Sequence, residues 1–235
     1  MTECSEGNPA KAQEPWVKGL NTKMNYLIFD IETRALTLEE VKKRDIMPSF
    51  KPPANYKDPD KIAAKEAEHE TEVMGKAALD ATLSEVCAIG YIGEDDEFNV
   101  LLGDEVSILS RFWQLCRDQV NDYGKIIGFN IVGFDLPYLI RRSFIREVPI
   151  CEGIKRGRYF NDSHVIDLAE IWKLNDKSLF ISLDRISKVL GIGKKNGNGK
   201  YFAALLETDQ KAALEYLQND LALTARLAKR LGAIQ

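Results

Sequence analysis

The chain has 235 residues, of which 45% are hydrophobic and 29% are charged, which is ordinary for a globular protein with one sizeable core. No apolar run approaches the ~20 residues of a membrane span. The N-terminus also lacks the basic start and apolar core of a signal peptide, so we expect a cytoplasmic protein without a membrane partner.

The net charge is −4, which argues against a general nucleic-acid binder, but the charge is unevenly distributed. Residues 141–200 contain 13 Lys and Arg against 7 Asp and Glu, a net of +6, whereas the rest of the chain has a net of −10. Two interpretations stay open: one basic face on an acidic protein, or a chance fluctuation among solvated charges.

The first third of the chain is predicted to contain a tail, a strand and an insertion. Residues 1–22 are polar and favour a flexible tail, leaving 23–235 as the folded domain. Residues 26–31 are apolar except for Asp30, a run too continuous for a one-sided sheet, which predicts a central strand covered on both faces. An insertion at about 34–82 contains a short helix, a proline-rich connection and a charged helix that Asp58 and Pro59 begin. Its polarity suggests that it stands away from the core.

The remaining elements alternate between strands and helices. Strands are predicted in EVCAIGYIG, EFNVLLG, KIIGFN and HVIDL, and helices in SILSRFWQLCRDQV, DLPYLIRRSFI, 183–190 and about 209–231. Strands that come first and then alternate with helices indicate an α/β domain with a mixed sheet.

Two carboxylates follow the first apolar run, in the sequence NYLIFDIET. Side chains alternate along a strand, so Asp30 and Glu32 point to one side, with their Cα atoms ~7 Å apart. Two buried like charges need compensation, which an arginine or a divalent cation with carboxylate ligands provides. Alternatively, the strand ends at Phe29 and both acids are solvated.

A further acid lies where a strand gives way to a helix. Asp135, followed by Pro137, is a good N-cap. The same position is typical of polar groups in α/β active sites, and Asn130 at the end of the preceding strand would face the same edge. Both interpretations stay open.

The last acidic position lies inside the final helix. Tyr216 and Asp220 are four residues apart and therefore share one face. Asp220 abuts the apolar stripe of that helix, which consists of Leu214, Leu217, Leu221 and Ala225. The alternative is a solvated acid beside a packed tyrosine.

Together these patterns resemble a known family. D-x-E, N-x-x-x-F-D and Y-x-x-x-D resemble the three exonuclease motifs of the DEDD superfamily, and the tyrosine is typical of its DEDDy branch. Across roughly residues 24–231, the segments FDIET, GFNIVGFDLPYLIRR, HVIDL, SLDRISKVLGIGKK and YLQNDLALTARL resemble the proofreading exonuclease domain of family B DNA polymerases, most closely its small predicted stand-alone relatives. The chain departs from this pattern at the insertion, and we expect no polymerase domain to follow.

The resemblance implies a fold, a reaction and a cofactor. The fold would be ribonuclease H-like, an α/β fold with a mixed sheet flanked by helices and a helical insertion after the first strand. The reaction would be 3′-5′ hydrolysis of nucleic acid with two divalent metal ions, Mg²⁺ or Mn²⁺. Asp30 would bridge both ions, Glu32 and Asp220 would complete one site, Asp135 would hold the second ion, and Tyr216 would orient the attacking water.

The resemblance also suggests which residues contact the substrate. Thr33, Asn130 and Phe134 would lie near the last nucleotide. Candidates for phosphate contacts are Arg141, Arg142, Lys194, Lys195 and Lys200. Residues 191–200 would form a mobile basic loop or a plain flexible connection. His164 is expected to be structural, and Asp167 to end a strand or cap a helix.

Several functions agree with this sequence. The leading hypothesis is a metal-dependent 3′-5′ exodeoxyribonuclease that acts on single-stranded DNA ends. An exoribonuclease of the same fold is an alternative, because no motif reports contact with a 2′-hydroxyl. A catalytically silent nucleic-acid-binding module is a third. An accessory subunit is a fourth, whose insertion at 34–82 would contact a polymerase, a replication or repair partner, or a second copy of the chain.

Overall fold

The computed structural model describes residues 26–93, 95, 97–176 and 178–234. The predicted tail at 1–22 lies outside these residues. The described residues form seven strands, which are β1 (Tyr26–Ala35), β2 (Ser84–Ile92), β3 (Asn99–Leu101), β4 (Lys125–Gly128), β5 (Lys155–Arg156), β6 (Tyr159–Phe160) and β7 (Val165–Asp167).

Five strands form one mixed sheet, in the order β3-β2-β1-β4-β7. The strands β1, β4 and β7 are parallel, and β2 is antiparallel to both β1 and β3. The prediction that the first strand is central is therefore confirmed. Because parallel strands end at the same edge, residues that follow β1, β4 and β7 are brought together there.

Helices cover both faces of this sheet. They are α1 (Leu38–Lys43), α2 (Pro59–Lys76), α3 (Glu105–Asn121), α4 (Asp135–Ile145), α5 (Leu168–Lys173), α6 (Leu183–Val189), α7 (Phe202–Thr208) and α8 (Gln210–Arg230). One buried cluster joins the sheet to α3 and α4, and a second joins it to α6 and α8. The predicted mixed α/β architecture is confirmed. Helices α5 and α7 and the β5-β6 hairpin were not predicted from the sequence.

A glycine on β2 lets α8 approach the sheet closely. Gly90 is paired with Asp30 across β1 and β2. A Cβ atom at Gly90 would lie 2.7 Å from Leu221 Cδ1 and 2.8 Å from Leu217 Cγ. Since real Cβ contacts are longer, only glycine permits this approach. The polar face of α8 is thereby held beside Asp30.

The insertion is partly packed against the domain. Helix α2 is capped by Asp58, as predicted, and has no buried residue. Its C-terminal end continues into a 3₁₀ turn at Ala77–Leu79, whose carbonyl at Ala78 accepts a 2.7 Å hydrogen bond from Thr33 Oγ1 on β1. A small buried cluster supports this turn and consists of Leu36, Val41, Ala77 and Leu83. The expectation of an insertion that stands away from the core is therefore wrong for this end.

Within the described residues, every helix is too short or too polar to span a bilayer.

Candidate active site

Three carboxylates from two elements meet beside the central strand. One oxygen from each of Asp30, Glu32 and Asp220 lies within 4.8 Å of the others. Asp30 and Glu32 alternate with Ile31 along β1 and so share a face. A β-bulge between Glu32 and Thr33 then shifts the pairing with β2. Bulges of this kind commonly redirect side chains at active sites.

Asp220 reaches this cluster from α8 and is almost fully buried, with 1% of its surface exposed. Within the described part of the chain, its buried Oδ1 atom has no hydrogen-bond partner. A buried carboxylate oxygen without a hydrogen-bond donor lowers the free energy of unfolding, by roughly 1–3 kcal/mol and by more when the group is charged. A metal ion or another positively charged ligand at Oδ1 of Asp220 would therefore stabilise this carboxylate.

A lysine ammonium contacts the cluster. Lys195 Nζ lies 2.5 Å from Asp220 Oδ2 and 5.4 Å from the centre of the Tyr216 ring. The Lys195 backbone N–H donates a 3.0 Å hydrogen bond to Asp184 Oδ1, which helps to fix the loop between α6 and α7. Lys195, which was predicted to contact a phosphate, thus forms an ion pair with Asp220. Its ammonium partly compensates the negative charge of the acids.

This arrangement fits a divalent metal ion. Carboxylate oxygens are the ligands that Mg²⁺ and Mn²⁺ prefer, and a divalent ion tolerates several of them together. The unpartnered Oδ1 of Asp220 and the ammonium beside Oδ2 both indicate a position that attracts positive charge. Asp30, Glu32 and Asp220 are therefore the residues that can hold a metal here.

Asp135 lies near the cluster but outside the group of three. It is buried at the first turn of α4, and its Oδ1 atom accepts a 3.3 Å hydrogen bond from the backbone N–H of Ile31. The predicted N-cap role is wrong, because Phe134 occupies the N-cap position and Asp135 already belongs to the helix. Burial, and after it the negative charge of Asp30, raise the pKa of Asp135 well above its usual range.

The end of β4 is held by a carboxylate from β7. Asp167 accepts hydrogen bonds from the backbone N–H groups of Asn130 at 2.8 Å and Val132 at 2.9 Å, and it caps α5 through Ala169. Asn130 has a left-handed backbone with φ of 62°, a costly conformation that often accompanies function. The capping role predicted for Asp167 is confirmed, and His164 contacts the Gly124 carbonyl through Nδ1.

The phenol of Tyr216 stays protonated in this environment. Burial, then the negative charges of Asp220 and Glu32, raise the pKa of Tyr216 far above its usual value. The loop after α6 packs closely on the ring, since a Cβ atom at Gly197 would lie 2.7 Å from Tyr216 Cδ2. A Cβ atom at Gly199 would lie 3.2 Å from the hydroxyl oxygen. The glycine-rich segment thus contributes backbone to the site.

The other residues predicted to contact phosphates differ in exposure and in whether they line the cleft that contains the acids. The prediction for Arg142 is wrong. Only 3% of its surface is exposed, and Glu105 accepts hydrogen bonds from its Nε at 2.7 Å and its Nη2 at 2.6 Å. Its guanidinium therefore cannot face a substrate. Arg141 and Lys194 are exposed but do not line the cleft at the cluster, whereas Lys200 does.

The carboxylates lie in a cleft of about 400 Å³. Thr33, Asn130 and Phe134 line it, while their contact with a nucleotide stays a prediction. Leu79 and Phe180 also line it, and the sequence offered no signal for them, because neither belongs to a periodic pattern. A larger cleft of about 510 Å³ beside Glu105 contains none of the three clustered acids, so we assign the site to the smaller one.

The metal-free protein is expected to lose stability as the pH rises from about 5 to about 7. Burial, and after it the charge of Asp220, raise the pKa of Asp30 to about 7, and burial also raises the pKa values of Glu32 and Asp220. The folded form therefore holds protons that the unfolded form has released, and the free energy of unfolding falls with pH in this window. Thermal unfolding in EDTA measures this slope.

Two variants make the pH experiment specific. Asp220→Asn should flatten the slope, because it removes one of the repelling charges. Asp104→Asn should leave it unchanged: Asp104 is an exposed helix cap, and hydrogen bonds from Ser107 lower its pKa, so it is ionised in both states above pH 5. Equal slopes for Asp220→Asn and the unmodified protein would contradict the assignment.

Comparison with a solved structure defines the class of this fold. The family B DNA polymerase from the hyperthermophilic archaeon Pyrobaculum calidifontis is similar, with a TM-score of 0.57 and 18% identity. The match covers 88% of this chain and 24% of the polymerase chain, so the protein spans about a quarter of that relative. The five-stranded mixed sheet flanked by helices is the ribonuclease H-like fold, as predicted.

A family model identifies the relationship more closely. Residues 76–227 match a family described as a predicted 3′-5′ exonuclease related to the exonuclease domain of PolB. The chain belongs to this family. The matched range includes Asp135, Tyr216 and Asp220 and begins after Asp30 and Glu32. No curated protein matches the chain.

Proposed function

We propose that the protein is a metal-dependent 3′-5′ exonuclease that removes nucleotides from the 3′ end of DNA, preferably single-stranded. The observation that carries this proposal is the approach of Asp30, Glu32 and Asp220 to within 4.8 Å, in a chain of an exonuclease family. Lys195 places only one positive charge beside the three acids, so without a further positively charged ligand the group destabilises the fold. Their presence in one buried group is therefore explained by function better than by structure.

The proposed metal ligands are Asp30, Glu32 and Asp220, with Asp135 as a further ligand for a second ion. When bound, two divalent ions, Mg²⁺ or Mn²⁺, neutralise charge on the scissile phosphate and on the leaving 3′ oxygen. The chain fixes the carboxylates in advance, since β1 positions two of them and α8 positions a third. Such preorganisation avoids a reorganisation cost during reaction.

Tyr216 is proposed to orient the attacking water. Because its pKa is raised, its hydroxyl keeps its proton at neutral pH and acts through hydrogen bonding, rather than as a base. Asn130, Thr33 and Phe134 are proposed to contact the last nucleotide, and Lys200 a phosphate further along the strand. These residues line the same cleft as the acids.

The protein is expected to shorten 5′-labelled single-stranded DNA from its 3′ end in Mg²⁺ or Mn²⁺, and not in EDTA. The same assay with matched duplex DNA and with RNA determines the preferred substrate. A ladder of products that retain the 5′ label indicates removal from the 3′ end, because attack from the 5′ end would release the label at once.

Two results would change the proposal. Faster degradation of RNA than of DNA would indicate an exoribonuclease of the same fold. No product from any substrate, with binding of single strands intact, would contradict catalysis and favour a binding module or an accessory subunit.

A further inference from the structure

Two exposed apolar side chains line the cleft that contains the carboxylates. Leu79 is 67% exposed and Phe180 is 78% exposed. They come from distant parts of the chain, since Leu79 ends the insertion and Phe180 lies between α5 and α6. Large apolar groups at the rim of a functional cleft are typical of ligand contacts.

Leu79 is held in a defined position relative to the acids. It ends the 3₁₀ turn Ala77–Leu79, in which Ala77 is completely buried. The hydrogen bond from Thr33 Oγ1 to the Ala78 carbonyl joins this turn to β1, one residue after Glu32. The insertion thus carries an apolar side chain to the cleft on a support that is fixed to the strand of the first two acids.

Phe180 is held by its neighbours on the other segment. Ile181 is buried in the cluster beneath the sheet, and Ser182 caps α6 by accepting a hydrogen bond from the Arg185 N–H. The backbone on the C-terminal side of Phe180 is therefore anchored, while the ring itself remains exposed. An anchored backbone with an exposed aromatic ring is suited to stacking against a ligand.

The chemistry of the cleft matches an unpaired nucleic-acid end. Its apolar and aromatic side chains lie in one cleft with Lys173, Lys200 and the metal-binding acids. Each base of an unpaired strand has apolar faces that aromatic and aliphatic side chains can cover, and lysines can contact the phosphates. Bases inside a duplex are already stacked and paired, so they gain less from such contacts.

We propose that Leu79 and Phe180 contact the bases of the last nucleotides of a single-stranded 3′ end, which makes the insertion a substrate-binding element. This inference rests on the proposed function, because it uses the same cleft. It also gives the preference for single strands a physical cause. Since every base has such faces, the contacts select an unpaired end without selecting a sequence.

The experiment compares oligonucleotide binding by full-length variants with Leu79→Ala or Phe180→Ala. All proteins carry Asp30→Asn, so that the substrate is not consumed. Matched controls are Leu174→Ala and Tyr123→Ala, whose side chains are 83% and 86% exposed and do not line the cleft. Fluorescence anisotropy measures the Kd for a 5′-labelled single strand and for the same strand without bases at its last two positions.

Each cleft substitution should weaken binding of the complete strand by about 5-fold or more, because the truncated side chain no longer covers a base. Binding of the abasic strand should change by less than about 2-fold, as should every value for the controls.

Three results would overturn this inference: unchanged affinity for the complete strand, equal weakening for both strands, or no binding by the parent protein. Failure of the proposed function is a separate observation. It is the absence of hydrolysis by the unmodified protein, and it leaves the binding comparison intact.

Discussion

Replacement of Asp30 by asparagine is expected to lower the rate of 3′-end hydrolysis by at least about 10³-fold while leaving the fold intact. One oxygen of Asp30 lies within 4.8 Å of an oxygen of both Glu32 and Asp220, so its carboxylate is one of the three ligands of the proposed metal site. A metal ion contributes several kcal/mol to the stabilisation of transition-state charge, and ~1.4 kcal/mol corresponds to a factor of ten. The initial rate on 5′-labelled single-stranded DNA measures the loss.

The same substitution should affect stability in the opposite direction. In EDTA at pH 8, Asp30→Asn should raise the melting temperature, because it removes one of three repelling charges. Addition of Mn²⁺ should raise the melting temperature of the unmodified protein by mass action, and this rise should largely vanish in the variant. Opposite effects on activity and on metal-free stability indicate a metal ligand, because replacement of a structural residue would lower both.

Asp162→Asn is the matched control, since Asp162 is an exposed aspartate outside the cluster. It should alter neither the rate nor the Mn²⁺-dependent rise. An undiminished Mn²⁺ shift in Asp30→Asn would refute the proposed ligand set. Reduced activity with a lower metal-free melting temperature would instead indicate that Asp30 supports the fold.

The sequence alone was sufficient to predict which of these residues share a face, because local rules determine the directions of their side chains. Alternation along a strand places Asp30 and Glu32 on one face, and the helical period places Tyr216 and Asp220 on another. The meeting of these two faces depends on the sheet order and on Gly90, which no local pattern reports. The resemblance to an exonuclease domain provided that missing step.

The incorrect prediction for Arg142 concerns a contact between residues distant in sequence. Arg142 follows a motif and is basic, so it looked like a phosphate ligand, yet Glu105, which lies 37 residues earlier, binds it in the core. The contact of Lys195 with Asp220 was not predicted either, while its proposed contact with a phosphate stays a prediction. In both cases the charge was evident from the sequence, but its partner was not, because charge alone does not determine which opposite charge lies nearby.

The apolar contacts of the insertion were equally difficult to predict from the sequence. Its polar helix predicted a separate appendage, and most of α2 is indeed exposed. The packed end depends on single residues, such as Ala77 in a four-residue buried cluster, and on one hydrogen bond to Thr33. Such short, irregular contacts have no periodic signature, so the approach of Leu79 to the cleft could not be predicted.

Replacement of Arg142 by methionine is expected to cause a large loss of stability, about 3–5 kcal/mol in the free energy of unfolding. Methionine fills much of the volume but leaves the buried carboxylate of Glu105 without its bidentate partner. It also removes the 2.8 Å hydrogen bond from Arg142 Nη1 to the Ala81 carbonyl. For a domain of this size the melting temperature should fall by roughly 6–20 °C, as measured by circular dichroism.

Arg146→Met is the matched control, because Arg146 approaches the same carboxylate at 3.4 Å from an exposed position. Surface ion pairs contribute only ~0–1 kcal/mol, so the control should lower the melting temperature by no more than about 4 °C. Adding Glu105→Gln to Arg142→Met should recover part of the loss, since it removes a buried charge that only Arg146 would then face, while Gln can still accept from the Val86 N–H. Equal losses for Arg142→Met and Arg146→Met would mean that the buried pair does not hold α3 and α4 together. A retained Mn²⁺ shift in folded Arg142→Met would separate this structural role from the metal site, because Arg142 contacts none of the three acids.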